Sequence, residues 1–460
     1  MDPDRTGLGI IEDGTIGVSK GELAFVGPSS EFESADADRV IDGERTLVLP
    51  GLVDAHVHTP QTLLRGGAQD LPEIEWMTRG LAPFSDVMNE EDRIVGSRIG
   101  VLEGVRSGVT TFGEYTRDVG ALVEEVYRPM GVRVVATETI NETAEMDGDP
   151  KEPYPMDREK GEAALEQNEA LFDRYADEPL VTPVYGPQAL DMVSSELIEE
   201  IRNRASKREA SIHMHVAQGE RERTQVQARY GSGSSTVSVL DELDLLGERL
   251  IAVHCHGATS EERTQIAESG ARMIGCPSSI AAIDGIVPPI TPFLDQGTPV
   301  GLATDQAPGS GGHDMMRELR TASLLSKTNE GDPTALPAWE TLRIGTSGGA
   351  NTLGLDSIGV LSVGNRADIA IFALDSLSVA PVVKTPFHTA IPNLVYGSAS
   401  AETVLIGGKP VLFKGEFTTV DEQAAIEEAN ERAAAVFERA ADDWRAAGST
   451  LVEAADAGWL

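Results

Sequence analysis

The sequence predicts an α/β chain: a (β/α)8, TIM-like barrel with a small β-sandwich formed from both chain ends. Three observations carry this. Eight apolar, β-branched runs alternate with helix-period segments through the middle of the chain. Both ends read as short strands separated by glycine-rich turns. Three His-x-His pairs close three of the eight runs, where barrels of this kind keep their reactive side chains.

In chain order, residues 1–48 hold short strands at 15–19, 22–26 and 46–49. The start, Met1-Asp2-Pro3-Asp4, reads as the second half of a hairpin, so either a further strand lies upstream of Met1 or that edge strand is absent. The barrel is assigned to residues 49–361. Its strand runs are 48–57, 108–113, 132–137, 180–185, 211–216, 250–255, 271–276 and 299–304, with helical patterns such as 91–104, 195–206 and 260–269 between them. Eight repeats of this unit imply a closed barrel rather than an open sheet. Residues 362–418 return to short strands, at 368–372, 403–406 and 410–413. Neither end piece can bury a core alone, so the two are expected to share one sandwich. The remainder, 419–460, has apolar residues at helical spacing up to Ala447 and should lie as an amphipathic helix on the barrel.

Composition narrows the function. The chain has 460 residues and a net charge of −38, from 75 acidic and 37 basic side chains. Such repulsion argues against nucleic acid or an anionic membrane as partner. The excess is spread along the chain and Lys is much scarcer than Arg, which points to a halophilic proteome. No run of about 18 apolar residues is present to span a membrane, and the start lacks the basic and apolar regions of a secretory signal. The 2 cysteines, Cys255 and Cys276, make no disulfide framework and read as small buried hydrophobes; a cytoplasmic location fits best.

Of 8 histidines, six form the pairs His56/His58, His213/His215 and His254/His256, at the ends of the first, fifth and sixth runs. Residues two apart on a strand point the same way, so such a pair can aim two imidazoles at one ion. A lone histidine is more often a hydrogen-bonded core residue. Three pairs at three strand ends favour a metal site. Asp305, ending the eighth run, would complete a set of three His and one Asp with a position open for water. Zn2+ suits these donors, and Fe2+ or Mn2+ remain alternatives.

These residues resemble the amidohydrolase superfamily, and within it the aminohydrolases that deaminate heteroaromatic rings: S-adenosylhomocysteine and methylthioadenosine deaminases, guanine deaminase and the triazine hydrolases. Leu49-Pro50-Gly51-Leu52-Val53-Asp54-Ala55-His56-Val57-His58 matches the first-strand motif. Leu64-Arg65-Gly66 and Trp76 follow where that subgroup carries them, and Arg366-Ala367-Asp368 resembles the return into the small domain. The resemblance implies one divalent metal on His56, His58, His215 and Asp305. It implies His254 and Asp305 as catalytic residues, a small heterocyclic substrate with water, and a homodimer or higher oligomer. Gln61, Trp76, Gln188 and His313 are the expected pocket residues. The implied reaction is hydrolytic deamination of a purine, pterin, pyrimidine or triazine type of ring. Ring-amide hydrolysis and displacement of chloride or alkylamine are its enzymatic alternatives.

Three positions depart from the family pattern. Gln218 stands where a proton-moving Glu usually follows the fifth strand, and an amide cannot act as acid or base. Pro187-Gln188 replaces Pro-His, and Gly275-Cys276-Pro277 replaces His-Asn-Pro. Gln218 also leaves open a non-catalytic metal-binding scaffold. Glu114, ending the second run, is the candidate to replace the missing carboxylate, against a purely structural role; Glu138 is a second, and Glu220 and Glu222 read as a solvated helix face. No lysine near the fourth strand end suggests a metal-bridging carbamate, so one metal is expected.

Overall fold

The computed structural model describes residues 7–460, save 34–35, 69, 72–74 and 145–151. The reading of the first residues as half a hairpin therefore lies largely outside the described residues.

Eight parallel strands in chain order form the barrel: β4 (Leu52–Val57), β5 (Val109–Thr116), β6 (Arg133–Ile140), β7 (Val181–Pro187), β8 (Ile212–Val216), β9 (Leu250–His254), β10 (Arg272–Gly275) and β11 (Val300–Leu302). The ring closes just past β11, where His58 N–H reaches Asp305 O at 2.8 Å and Asp305 N–H reaches His56 O at 3.0 Å. Strand alternation then sorts the side chains. Val53, Ala55, Val135, Val184, Ile251, Val253, Ile274 and Ala303 fill the barrel interior. Leu52, Val57, Phe112, Val134 and Met214 face the surrounding helices.

A second sheet runs β15 (Glu416–Phe417), β14 (Lys409–Phe413), β13 (Thr403–Ile406), β12 (Ile369–Ala373), β3 (Thr46–Pro50), all antiparallel. The hairpin of β1 (Gly14–Ser19) and β2 (Glu22–Pro28) packs on it through Leu23, Ile369, Ile371 and Leu405. Both chain ends thus supply the small domain.

One expectation needs correction. The run 48–57 is not one strand: it divides at Gly51 into β3 of the small sheet and β4 of the barrel. Gly51 carries no side chain because a Cβ there would run into Thr110. The apolar pattern is continuous across the break, with Leu49 and Pro50 buried before it and Leu52 and Val53 after it, so periodicity alone does not reveal it.

The helix Glu422–Ala447 lies against the segment after β4 and the helix Glu90–Arg106. Ala429, Val436 and Ala440 pack on Leu63, Leu64, Phe84 and Val95, and Trp444 Nε1–H reaches Gly67 O at 2.6 Å. The C-terminal helix therefore backs the wall that carries the first histidines.

Candidate active site

At the C-terminal mouth of the barrel, β4 is irregular between Asp54 and Val57. The extra residue lets Ala55 face inward and His56 do so as well, with His58 two residues on. Gly113 on β5 makes room: a Cβ there would collide with the Ala55 carbonyl. His213 and His215 share the inner face of β8. His254 and Asp305 leave their strands in the left-handed region, at φ 75° and 62°.

These elements bring His56, His58 and His215 together, with ligand nitrogens all within 4.8 Å of one another; His56, His254 and Asp305 satisfy the same limit. Asp305 Oδ1 lies 3.4 Å from His58 Nε2 and 3.8 Å from His56 Nε2. The far side of each ring is fixed. His58 Nδ1–H donates to Tyr115 O at 2.5 Å, and His215 Nδ1–H to Gln188 O at 2.9 Å. A carbonyl only accepts, so both rings hold their proton on Nδ1 and present a bare Nε2 inward. His56 Nδ1 meets His213 Nε2 at 3.0 Å, and His213 Nδ1 meets Thr137 Oγ1 at 3.3 Å.

Burial pushes the histidines down: His56, His213 and His254 well below the ordinary range, and His215 to about 3. Neutral imidazole is the form that binds a metal. Burial raises Asp305, while His58 opposes that rise. His56 Nε2 and His254 Nδ1 are buried with no hydrogen-bond partner among the described residues. Such nitrogens cost free energy unless something binds them. The donor set fits a divalent ion of the zinc type.

The other sequence-predicted residues fall into two groups. Gln218 and Gln188 are next to the cluster. Gln218 follows β8, its N–H held by Glu222 at 2.6 Å. Gln188 supplies the carbonyl under His215, and its Oε1 accepts from Asn141 at 2.6 Å. Gln61 sits on the turn Thr59–Leu64 right after the histidines, its Oε1 buried without a partner among the described residues. Trp76 is buried and donates Nε1–H to Ala68 O at 2.7 Å.

Glu114 and His313 are not in the pocket, which corrects both expectations. Strand alternation puts Tyr115 toward the histidines, its ring 4.9 Å from that of His215, and so turns Glu114 toward the helices. There its carboxyl accepts from Thr59 N–H at 3.2 Å, from the Thr59 hydroxyl and from Tyr127 OH at 2.6 Å, and burial pushes it up to about 7. Glu138 likewise faces outward and accepts from the N–H groups of Asp118 and Val119, at 2.8 and 3.0 Å. Glu220 is exposed, but Glu222 is buried rather than solvated, its carboxyl taken up by Gln218 N–H and Thr236 Oγ1. His313 packs behind the wall against the helix Glu90–Arg106, where Thr304 donates to Asp54 Oδ2 at 2.6 Å and meets His313 Nδ1 at 2.8 Å. This trio ties β4 to the segment after β11.

Sequence reasoning missed the orienting role of His213, although its spacing two before His215 was the available signal. His256 stays outside the ligand cluster, its Nε2 3.8 Å from Asp284. Both cysteines are buried and free.

Comparison with known proteins agrees with this geometry. A family model described as "Amidohydrolase family" matches residues 47–411. The 5-methylthioadenosine/S-adenosylhomocysteine deaminase of Pelotomaculum thermopropionicum is 31% identical over 94% of this chain and 96% of its own. The 5'-deoxyadenosine deaminase of Methanothermobacter thermautotrophicus is 33% identical over 94% and 97%. A solved structure of an adenosine deaminase from Xanthomonas campestris, with bound zinc, superposes with a TM-score of 0.85 at 29% identity, covering 94% of this chain and 95% of that one. A triazine hydrolase structure from Arthrobacter, at 21% identity and a TM-score of 0.80, shares the fold. With barrel, histidine cluster and full-length likeness in agreement, the chain belongs to the amidohydrolase family and is a hydrolase acting on carbon–nitrogen bonds other than peptide bonds.

Proposed function

We propose that this enzyme hydrolyses the exocyclic amine of an adenine-type nucleoside and releases ammonia. The observation that carries the reading is the set of inward, bare imidazole nitrogens facing one aspartate oxygen. Full-length likeness to two adenosine-type deaminases supports the ring and the leaving group. His56, His58, His215 and Asp305 would hold one divalent ion, with Zn2+ favoured by the zinc-bound neighbour. Such an ion, when bound, supplies Lewis acidity and lowers the pKa of a water to near neutrality.

The chain's own groups divide the remaining work. Asp305 Oδ1 takes a proton from the attacking water and carries it toward the departing amine. His254, held neutral by burial, offers a hydrogen bond to the oxygen that adds to the ring carbon and so steadies the charge of the addition step. Gln218 cannot move a proton. It can hydrogen-bond a ring nitrogen and hold the ring plane. Glu114, Glu138 and Glu222 are each committed to partners behind the strands. Asp305 therefore carries both proton steps. Gln218 also favours a second reading, displacement of chloride from a triazine-type ring, because chloride leaves without a proton.

Ammonia release from 5'-deoxyadenosine, methylthioadenosine, S-adenosylhomocysteine and adenosine, beside guanine and amino- and chlorotriazines, separates the readings. Turnover of the adenine compounds is expected; chloride release alone would favour the second. Oligomeric assembly and a cytoplasmic, salt-rich setting are further parts of the proposal. They are supported by the family likeness, the two free buried thiols and the net charge of −38. Among the described residues no helix is long and apolar enough to cross a membrane.

A further inference from the structure

We infer that Ser279 and Gln306 form a positioning relay that fixes which oxygen of Asp305 faces the histidine cluster. The inference rests on the proposed role of Asp305 as ligand and proton carrier. The backbone of Asp305 is already tied on both sides to the strand bearing His56 and His58, through its N–H and its carbonyl. What remains free is rotation of the carboxylate.

That rotation is stopped by a one-way chain of donors. Gly309 N–H donates to Gln306 Oε1 at 2.6 Å, so the amide cannot flip. Gln306 Nε2–H therefore points to Ser279 Oγ, at 3.1 Å. The serine oxygen now accepts from the amide, and its single hydrogen goes to Asp305 Oδ2. Oδ2 is occupied, and Oδ1 is the oxygen left facing Nε2 of His58 and His56.

The relay is buried throughout: Ser279 is 0% exposed, Gln306 3% and Asp305 5%. Gly309 belongs to it as well, because a Cβ there would press on Gln306 Nε2 and stand 3.2 Å from Ser279 Oγ. An amide at the far end neither gives nor takes a proton, so the chain positions and does not conduct. The segments that follow the neighbouring strands β10 and β11 thus together orient one carboxylate.

Zinc affinity by chelator competition, with kcat and KM for 5'-deoxyadenosine, tests this in wild type, Ser279→Ala, Gln306→Ala and the double variant. Ser279→Ala should weaken zinc binding by about 10- to 100-fold. Its kcat should fall while KM stays within about twofold, because the lost contact orients a reacting group and not the substrate. Gln306→Ala should fall less in the same direction. The double variant should be no worse than Ser279→Ala, since Gln306 acts only through the serine. Wild-type zinc affinity in Ser279→Ala, or losses that multiply in the double variant, would overturn the relay. A wild-type protein that binds no zinc would instead overturn the ligand reading beneath it.

Discussion

His56 is held by another histidine: its Nδ1 lies 3.0 Å from Nε2 of His213, whose own Nδ1 is braced at 3.3 Å by Thr137. A backbone carbonyl holds each of the other two proposed ligand rings, His58 and His215, so among the three His56 alone depends on a group that could take either tautomer. Replacing His213 by alanine should weaken zinc binding by about 10- to 100-fold, and glutamine, which keeps an acceptor, should recover part of it. Chelator competition reads both. Unchanged affinity in the alanine variant would mean that His213 is only a core residue.

Glu114 gives a test of the outward-facing carboxylates. Glu114→Gln should keep kcat within a few-fold of wild type, because the carboxyl is committed to Thr59 and Tyr127 behind the strand. Its stability carries a pH signature. Burial raises the folded-state pKa from the ordinary 4.5 to about 7, so between those values the folded form binds more protons than the unfolded form. The favourable contribution is then present below the lower value and lost as pH rises through the upper one. Melting temperatures of Glu114→Gln relative to wild type should therefore rise from pH 4.5 to pH 7. A collapse of kcat would return the proton role to this residue.

His254 should be separable from metal binding. His254→Ala is expected to retain about one zinc per chain while losing at least about a hundredfold in kcat, in the range seen when a charge-stabilising donor is removed. Full activity in this variant, measured on metal-replete protein, would remove His254 from the mechanism.

Much of this was legible in sequence. Eight alternating runs and three His-x-His pairs pointed to the barrel and its active face; the choice of His56, His58, His215, His254 and Asp305 within them came from the family resemblance, and the fold brings these five together. What stayed hidden has physical causes. The division at Gly51 is invisible because the residues on either side of it, Leu49, Pro50, Leu52 and Val53, are all buried and apolar. Glu114 was misplaced because a strand end tells which residues are near the mouth but not which face each takes; on the regular strand β5 it shares the outward face of Phe112. His313 lies near Asp305 in sequence, but its Thr304 partner points to the helix side. Ser279 and Gln306 carry no spacing signal; the pairing of the neighbouring strands β10 and β11 brings them together.

The net charge of −38 makes stability depend on salt. Screening shortens from about 10 Å at 0.1 M to about 3 Å at 1 M, which weakens repulsion among surface carboxylates. The melting temperature should climb between these KCl concentrations. A flat or falling profile would argue against a salt-rich setting.

The most direct measurement is to strip the protein of metal, titrate zinc back, and follow ammonia from 5'-deoxyadenosine. Activity should be absent without metal, rise in proportion to added zinc, and level off at about one equivalent per chain, the stoichiometry of a single site of three His and one Asp. Ammonia release from the stripped protein, or none from zinc-replete protein that holds its metal, would contradict a zinc-dependent adenine-type deaminase.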